Sequence, residues 1–172
     1  LMLLIFALLV CFYLLLTFIP LIDPFWVKIQ KKYNILLLFR DFVLLFLLFL
    51  YILSIIAAQT GTLQTYVLGV GFGLLFILLG NYLPKLPRNW FFGIRSPWTL
   101  SSEIVWKKTH ILGGWLFVIG GMITVVLSIL KVHLLIVLLM TLVPVSVFSG
   151  FAYPFYLYKK LQSEEATKVP EL

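Results

Sequence analysis

The sequence predicts an all-α polytopic membrane protein of five transmembrane helices, with an amphipathic, aromatic-rich cytoplasmic loop between the third and fourth. Of the 172 residues, 63% are hydrophobic and only 11% are charged, whereas soluble domains are about half apolar and about a quarter charged. One soluble core of this size cannot bury so much apolar surface. Five apolar runs are long enough to cross a bilayer as helices. These observations disfavour a cytosolic enzyme, a nucleic-acid-binding domain and a disordered chain.

Prolines and short polar turns separate the five runs. Pro20 and Pro24 end the first run, and an uncharged turn at 59–62 separates the second from the third. Pro84 prevents simple continuation of the third helix, and residues 131–133 leave room only for a short hairpin between the last two. We therefore predict a single membrane domain over 1–172, with spans at about 1–20, 36–58, 63–80, 110–130 and 132–157, a cytoplasmic loop at 81–109 and a cytoplasmic tail at 158–172.

The basic residues lie almost entirely on one side of this predicted domain. Of the 13 lysines and arginines, 12 fall in the segments 21–41 and 81–109 and in the tail, and only Lys131 lies opposite. The positive-inside rule then places the N-terminus outside and the C-terminus in the cytoplasm. The net charge of +7 therefore needs no nucleic-acid partner.

Small residues recur in the third and fourth spans at spacings typical of close helix packing. The third span contains a GxxxG motif, and the fourth contains two glycine pairs. A nucleotide-binding loop is excluded for the third span, because its glycines lie inside an apolar helix with no preceding strand. We expect packing within the chain, with homodimerisation as the alternative, for Gly69, Gly73, Gly113, Gly114, Gly120 and Gly121.

The loop at 81–109 is longer and more aromatic than a simple connector. Three of the five tryptophans, Trp90, Trp98 and Trp106, lie in it. This composition predicts an ordered element that touches lipid. Ser101 or Ser102 can cap a helix that begins there.

One face of that predicted helix runs from the loop into the fourth span. Glu103, Trp106, Lys107, His110 and Gly114 share it, with Glu103 in the first turn and at salt-bridge spacing from Lys107.

Most of these side chains also have ordinary roles at a membrane surface. Tryptophans form interfacial belts, and basic residues face anionic headgroups. Asp23 and Asp41 are expected to pair with neighbouring basic side chains. Around His110 only Glu103 is available as a further metal ligand, and Cys11, the single cysteine, excludes an intrachain disulfide. With no catalytic constellation visible, we predict no enzyme activity, no cofactor and no metal.

The loop also carries a resemblance to a known family. The resemblance rests on the run G-N-Y-L-P-K-L-P-R-N-W-F-F-G-I-R-S-P-W-T-L-S-S-E-I-V-W-K-K-T-H at 80–110 and on the glycine pairs at 113–114 and 120–121. It is similar to the signature of the bacterial SdpI-type immunity proteins, and I-P-L-I-D-P at 19–24 resembles a further segment of that family. Fuller members carry an additional N-terminal membrane module that is not visible before Leu1, so we expect a truncated chain or a shorter subgroup.

The resemblance implies a multi-pass protein of the bacterial plasma membrane that gives resistance to a secreted, membrane-active peptide toxin. It also implies signal transduction, in which a cytoplasmic helix-turn-helix repressor is held at the membrane. The expected partners are membrane lipids, the toxin and this repressor, without direct contact to nucleic acid. Arg95 is the expected partner for an anion or carboxylate. The full expected functional set is Asn81, Tyr82, Asn89, Trp90, Gly93, Arg95, Pro97, Trp98, Thr99, Glu103, Trp106 and His110.

Two other classes of function stay open. A small transporter, or a lipid- or peptide-handling protein, would also protect a cell, although no inverted repeat or midplane charge supports a standard transporter. A membrane enzyme could use Glu103 and His110 as an acid and base. Their spacing separates them by about 10 Å along a helix, too far to share one proton.

Overall fold

The computed structural model describes residues 2–168, with side chains for residues 7–164, and this part of the chain is helical without any strand. Leu1 of the predicted first span and residues 169–172 of the predicted tail lie outside the described residues. The α-helices of the described part are α1 Met2–Phe18, α2 Trp26–Ile29, α3 Tyr33–Thr60, α4 Thr65–Tyr82, α5 Pro97–Ser101, α6 Glu103–Ile129, α7 Leu134–Val147 and α8 Tyr153–Lys168.

Four helical segments of the described residues are long and apolar enough to cross a membrane. They correspond to the second to fifth predicted spans and cover Trp26–Thr60, Thr65–Lys85, Glu103–Ile129 and Leu134–Glu164. The all-helical membrane class is therefore confirmed. The predicted first span contains the apolar but shorter segment Ala7–Ile22, so a fifth crossing stays a prediction.

Two helix boundaries follow directly from local sequence. Helix α3 ends where Gly61 adopts a left-handed conformation (φ 70°) and donates its N–H to the Ala57 carbonyl at 2.9 Å. Helix α6 begins after Ser102, whose Oγ accepts from the Val105 N–H at 3.4 Å, with Glu103 in the first turn. Of the two serines expected to cap this helix, Ser102 is the one that does so.

Helices α4 and α6 cross with their backbones in contact. A Cβ atom on Gly73 would lie 2.7 Å from the carbonyl oxygen of Gly121, and one on Gly121 would lie 2.6 Å from that of Gly73. Gly80 and Gly114 show the same reciprocal relation at 2.7 Å. Because the obstructing atoms are backbone, no rotation of a side chain would make room for a larger residue.

The other glycines of the predicted packing set meet different neighbours. A Cβ on Gly69 would collide with the Ser128 hydroxyl across the same crossing, whereas one on Gly113 would meet Ile94 of the loop. Gly120 has only Val145 nearby, at an ordinary 3.5 Å. These contacts lie within one chain.

Helix α7 continues into α8 through a π-helical turn, Phe148–Ala152. Pro144 lies inside regular α7, and the change in winding comes later, just before the buried Pro154. Proline has no N–H to donate to the preceding turn, and a π-turn is one way in which a helix absorbs such an interruption.

The hydrophobic core lies beneath the loop at one end of the helices. Its buried members come from α2, α3, α6 and the loop itself, and they are Ile29, Leu36, Phe39, Leu83, Leu86, Phe92 and Trp106. Large apolar side chains along the spans are instead largely exposed, as expected for surfaces that face lipid.

Candidate functional site

The candidate site is the motif loop, defined as residues 81–109, together with His110 at its end. The loop is packed on the core and is held in shape by hydrogen bonds between its side chains and its backbone.

Asn89 organises the first turn of the motif loop. Its side chain is fully buried, and its Oδ1 accepts from the N–H groups of Phe91 at 2.9 Å and Phe92 at 2.6 Å. Its Nδ2 donates to the Pro87 carbonyl at 2.9 Å. One carboxamide thus satisfies three backbone groups, and it places Phe92 in the core.

Asp23 joins the motif loop to the segment before α2. Its carboxylate is 4% exposed, and Oδ1 accepts from the Phe25 N–H while Oδ2 accepts from the Trp90 N–H, both at 2.7 Å. The expected ion pair of Asp23 with a neighbouring basic residue is therefore wrong. Each carboxylate oxygen instead accepts one backbone N–H, from Phe25 and from Trp90. Asp41 does pair with Arg40, at 2.8 Å.

His110 is buried and bonded through both ring nitrogens. Its Nε2 accepts from the Ile94 N–H at 3.0 Å, and its Nδ1 lies 2.8 Å from the Trp106 carbonyl. An amide N–H can only donate, so Nε2 is unprotonated and the hydrogen sits on Nδ1. The neutral ring stacks on the Trp106 indole at 4.0 Å between centroids.

Trp106 extends this arrangement across the loop. Its side chain is 2% exposed, and its Nε1 donates to the Leu86 carbonyl at 3.0 Å. The two rings therefore connect the middle and the beginning of the motif loop to α6.

This geometry does not bring together an acid and a base. Both nitrogens of His110 are occupied by backbone groups, and Glu103 is exposed and bonded to Lys28 at 2.9 Å. The expected pairing of Glu103 with Lys107 is wrong, because the segment around α2 lies alongside the start of α6. No group of three or more His, Cys, Asp or Glu residues that could hold a metal occurs in the described part of the chain.

Gly93 lies against His110 in a conformation that favours glycine. Its φ is 95°, and a Cβ atom there would lie 2.4 Å from the Nε2 atom of His110. A side chain would therefore suffer both backbone strain and a collision at the atom that accepts the Ile94 bond.

Helix α5 begins with a capping box. The Ser96 N–H donates to Thr99 Oγ1 at 2.8 Å, the Thr99 N–H donates to Ser96 Oγ at 3.4 Å, and Pro97 occupies the first helical position. Thr99 is fully buried. Ser96 was absent from the expected functional set, although a serine before proline and three residues before threonine is the sequence signal for such a cap.

Trp98 attaches α5 to the π-turn region. Its ring centroid lies 6.4 Å from that of Phe151 and 5.3 Å from that of Phe155, both with edge-on geometry. The motif loop therefore packs against the last helical segment at its π-helical turn.

Of the remaining expected residues, Asn81, Trp90 and Arg95 are exposed, whereas Tyr82 is partly buried and its ring lies 5.4 Å from that of Phe42. Trp90 is 48% exposed, and the Nη1 of Arg95, itself an exposed residue, donates to the Trp90 carbonyl at 2.5 Å. Asn81 is exposed and bonds to the Ile77 carbonyl at 2.9 Å, whereas the Tyr82 ring lies 4.1 Å from Lys85 Nζ.

Nine of the twelve expected residues fall into two groups. Of the other three, Tyr82 and Trp98 are partly buried, and Pro97 is exposed at the start of α5. Buried members shape the motif loop, and they are Asn89, Thr99, Trp106 and His110, with Gly93 fitted against the histidine. Outward members are available for a partner, and they are Asn81, Trp90, Arg95 and Glu103. No local sequence signal distinguishes the two groups, and none adds Asp23, which holds the Trp90 N–H.

Two comparisons with known proteins find matches, and one of them includes most of the motif loop. The sequence model described as the SdpI/YfhL protein family matches residues 85–155. Immunity protein SdpI from Bacillus subtilis (strain 168) is 32% identical over 95 residues, which are 55% of this chain and 46% of that protein. The match thus spans about half the length of the relative. No solved structure matches the chain. Both findings confirm the resemblance to SdpI-type proteins that the motif loop predicts.

Proposed function

We propose that this chain is a non-enzymatic immunity protein of the bacterial plasma membrane that gives resistance to a membrane-active peptide toxin. The support is its similarity to a protein named as an immunity protein, together with apolar helices suited to a membrane. We further infer five spans, an outside N-terminus and a cytoplasmic C-terminus, since the basic residues cluster at one end of the spans.

The observation that carries this proposal is the way in which Trp90 is held. Its N–H is bonded to Asp23 and its carbonyl to Arg95, while about half of its side chain stays exposed. Holding both backbone groups of an exposed tryptophan in place costs conformational entropy, which a simple connecting loop has no reason to lose. This is the arrangement expected for a recognition residue, because little conformational entropy is lost when a partner binds.

With the inferred orientation, this surface faces the cytoplasm. A secreted toxin contacts the spans first, and the motif loop then transmits the signal to the cytoplasmic side. The cytoplasmic partner that we propose is the helix-turn-helix repressor, which would meet Trp90 and Arg95 beside a basic surface.

Survival of a toxin-sensitive bacterium tests the proposal. Cells that express the full chain should survive the purified peptide toxin against which SdpI-type immunity proteins act, and cells that express Arg95→Ala or Trp90→Ala should lose protection at equal membrane abundance. Lys108→Ala is the matched control, because it removes another exposed basic side chain of the motif loop. A well-expressed wild-type chain that protects no better than an empty vector would contradict the immunity proposal. Full protection by both loop variants would contradict the assignment of Trp90 and Arg95.

A further inference from the structure

A second surface feature is formed partly by the motif loop itself, on residues other than Trp90 and Arg95. It is a cleft of about 550 Å³ between the segment 26–32 and the start of α6. Its charged lining consists of Lys28, Lys31, Lys32, Arg88, Lys107 and Glu103. We call it the basic cleft. Five positive groups against one negative group create a strongly positive potential in a concave surface, where fields are focused.

Arg88 gives the basic cleft a fixed cation. Its guanidinium lies 4.5 Å from the centre of the Phe25 ring, and its Nη1 donates to the Leu100 carbonyl at 3.3 Å. Its Nε is buried and has no hydrogen-bond partner among the described residues. A buried donor without a partner costs free energy. Because Arg88 lines the cleft, its positive charge also adds to the potential that an oxyanion entering the cleft would meet.

Apart from Gln30, the rest of the lining is apolar, and the cleft lies at the ends of two segments suited to cross a membrane. Pro84, Leu86 and Trp106 form part of the wall, and Val27 at its edge is 73% exposed. The cleft adjoins the end of the segment Thr65–Lys85 and the beginning of Glu103–Ile129, both suited to cross a membrane. The cleft therefore places basic groups beside an apolar surface, a combination that is complementary to an amphiphile with an anionic headgroup.

We propose that the basic cleft binds the phosphate headgroup of an anionic phospholipid, with Arg88 and Lys107 among its cationic contacts. Glu103 opposes this binding through its charge, although its bond to Lys28 offsets part of that effect. The proposal is independent of the immunity function, because it requires neither toxin nor repressor.

Two adjacent lysines permit a matched test. Lys107 lines the basic cleft, whereas the neighbouring Lys108 is exposed on the same helix and does not line it. The full chain in detergent is titrated with phosphatidylglycerol, and with phosphatidylcholine as the zwitterionic reference, and bound lipid is counted by native mass spectrometry. We expect Lys107→Gln to lower phosphatidylglycerol affinity by on the order of tenfold and Lys108→Gln to change it little. Glu103→Gln should raise that affinity.

Three results would overturn the proposal. Equal losses in Lys107→Gln and Lys108→Gln would mean diffuse attraction to the whole basic surface. Equal affinity for phosphatidylglycerol and phosphatidylcholine would remove the role of charge. Displacement of the lipid by a modest excess of inorganic phosphate would identify a soluble anion as the ligand. If Lys107→Gln does not yield folded protein, Lys31→Gln replaces it, because that exposed lysine also lines the cleft.

Discussion

Asp23 and Trp90 lie 67 residues apart in the sequence and are joined by a hydrogen bond of 2.7 Å from the Trp90 N–H to Asp23 Oδ2. The bond crosses from the segment before α2 to the motif loop, and the other carboxylate oxygen is bonded to the Phe25 N–H. A single buried carboxylate therefore sets the position of an exposed tryptophan relative to α2. This links the two parts of the chain in which the SdpI-type resemblance was seen, 19–24 and 80–110.

We predict that Asp23→Asn destabilises the protein and reduces protection. An amide can accept with its oxygen only, so its NH₂ group would face one of the two backbone N–H donors that Asp23 now satisfies. The expected cost is about 1.5 to 3 kcal/mol, the range for hydrogen bonds to charged groups. Thermal unfolding of the detergent-solubilised full chain measures it.

Asp41→Asn is the control for this change. The Asp41 side chain is 54% exposed and pairs with Arg40, whose own side chain is 11% exposed. Arg40 also donates to Thr17 Oγ1 at 2.7 Å and so keeps a partner, and Asp41→Asn should cost less than Asp23→Asn. Equal shifts in unfolding temperature for the two variants would contradict the bridging role of Asp23.

Gly93→Ala tests the contact between the motif loop and His110. The new methyl group would lie 2.4 Å from His110 Nε2 in a backbone conformation with φ 95°. We expect a loss of stability of about 1 to 3 kcal/mol, with displacement of Ile94 from the histidine. The measurement is the unfolding temperature, combined with hydrogen exchange at the Ile94 amide, which should become faster.

Gly150→Ala provides the comparison for Gly93. No atom lies within 4 Å of a Cβ at Gly150, and its φ is not in the left-handed region. The substitution should leave the unfolding temperature nearly unchanged. If Gly93→Ala were equally harmless, the close approach to His110 would not be a constraint on the loop.

Composition and hydropathy were sufficient to predict the helical membrane class. Lipid-facing helices need long apolar runs, and such runs can be read directly from the sequence. The capping role of Ser102 and the ion pair of Asp41 with Arg40 were also predictable, since both depend on residues close in sequence. The fifth crossing stays a prediction, since the described apolar segment near the N-terminus, Ala7–Ile22, is shorter than the other four.

The interior of the motif loop could not be predicted in the same way. Helical spacing favours Lys107 as the ion-pair partner of Glu103. In the folded chain the partner is Lys28, which is 75 residues away in the sequence. Likewise, no periodicity connects Asp23 with Trp90 or Gly93 with His110. These contacts arise from how the helices pack, so one sequence does not contain a local signal for them.

The crossing of α4 and α6 gives the last prediction, and two adjacent glycines make it specific. A methyl group on Gly121 would lie 2.6 Å from the Gly73 carbonyl oxygen, whereas one on Gly120 would meet only Val145 at 3.5 Å. Gly121→Ala should therefore push the helices apart and lower stability by about 1 to 3 kcal/mol, as overpacking commonly does. Gly120→Ala should be neutral or slightly stabilising, because alanine favours the helix. Thermal unfolding in detergent is measured for both variants, each of which adds one methyl group. A larger loss for Gly120→Ala than for Gly121→Ala would contradict this crossing, since only the Gly121 face approaches the α4 backbone.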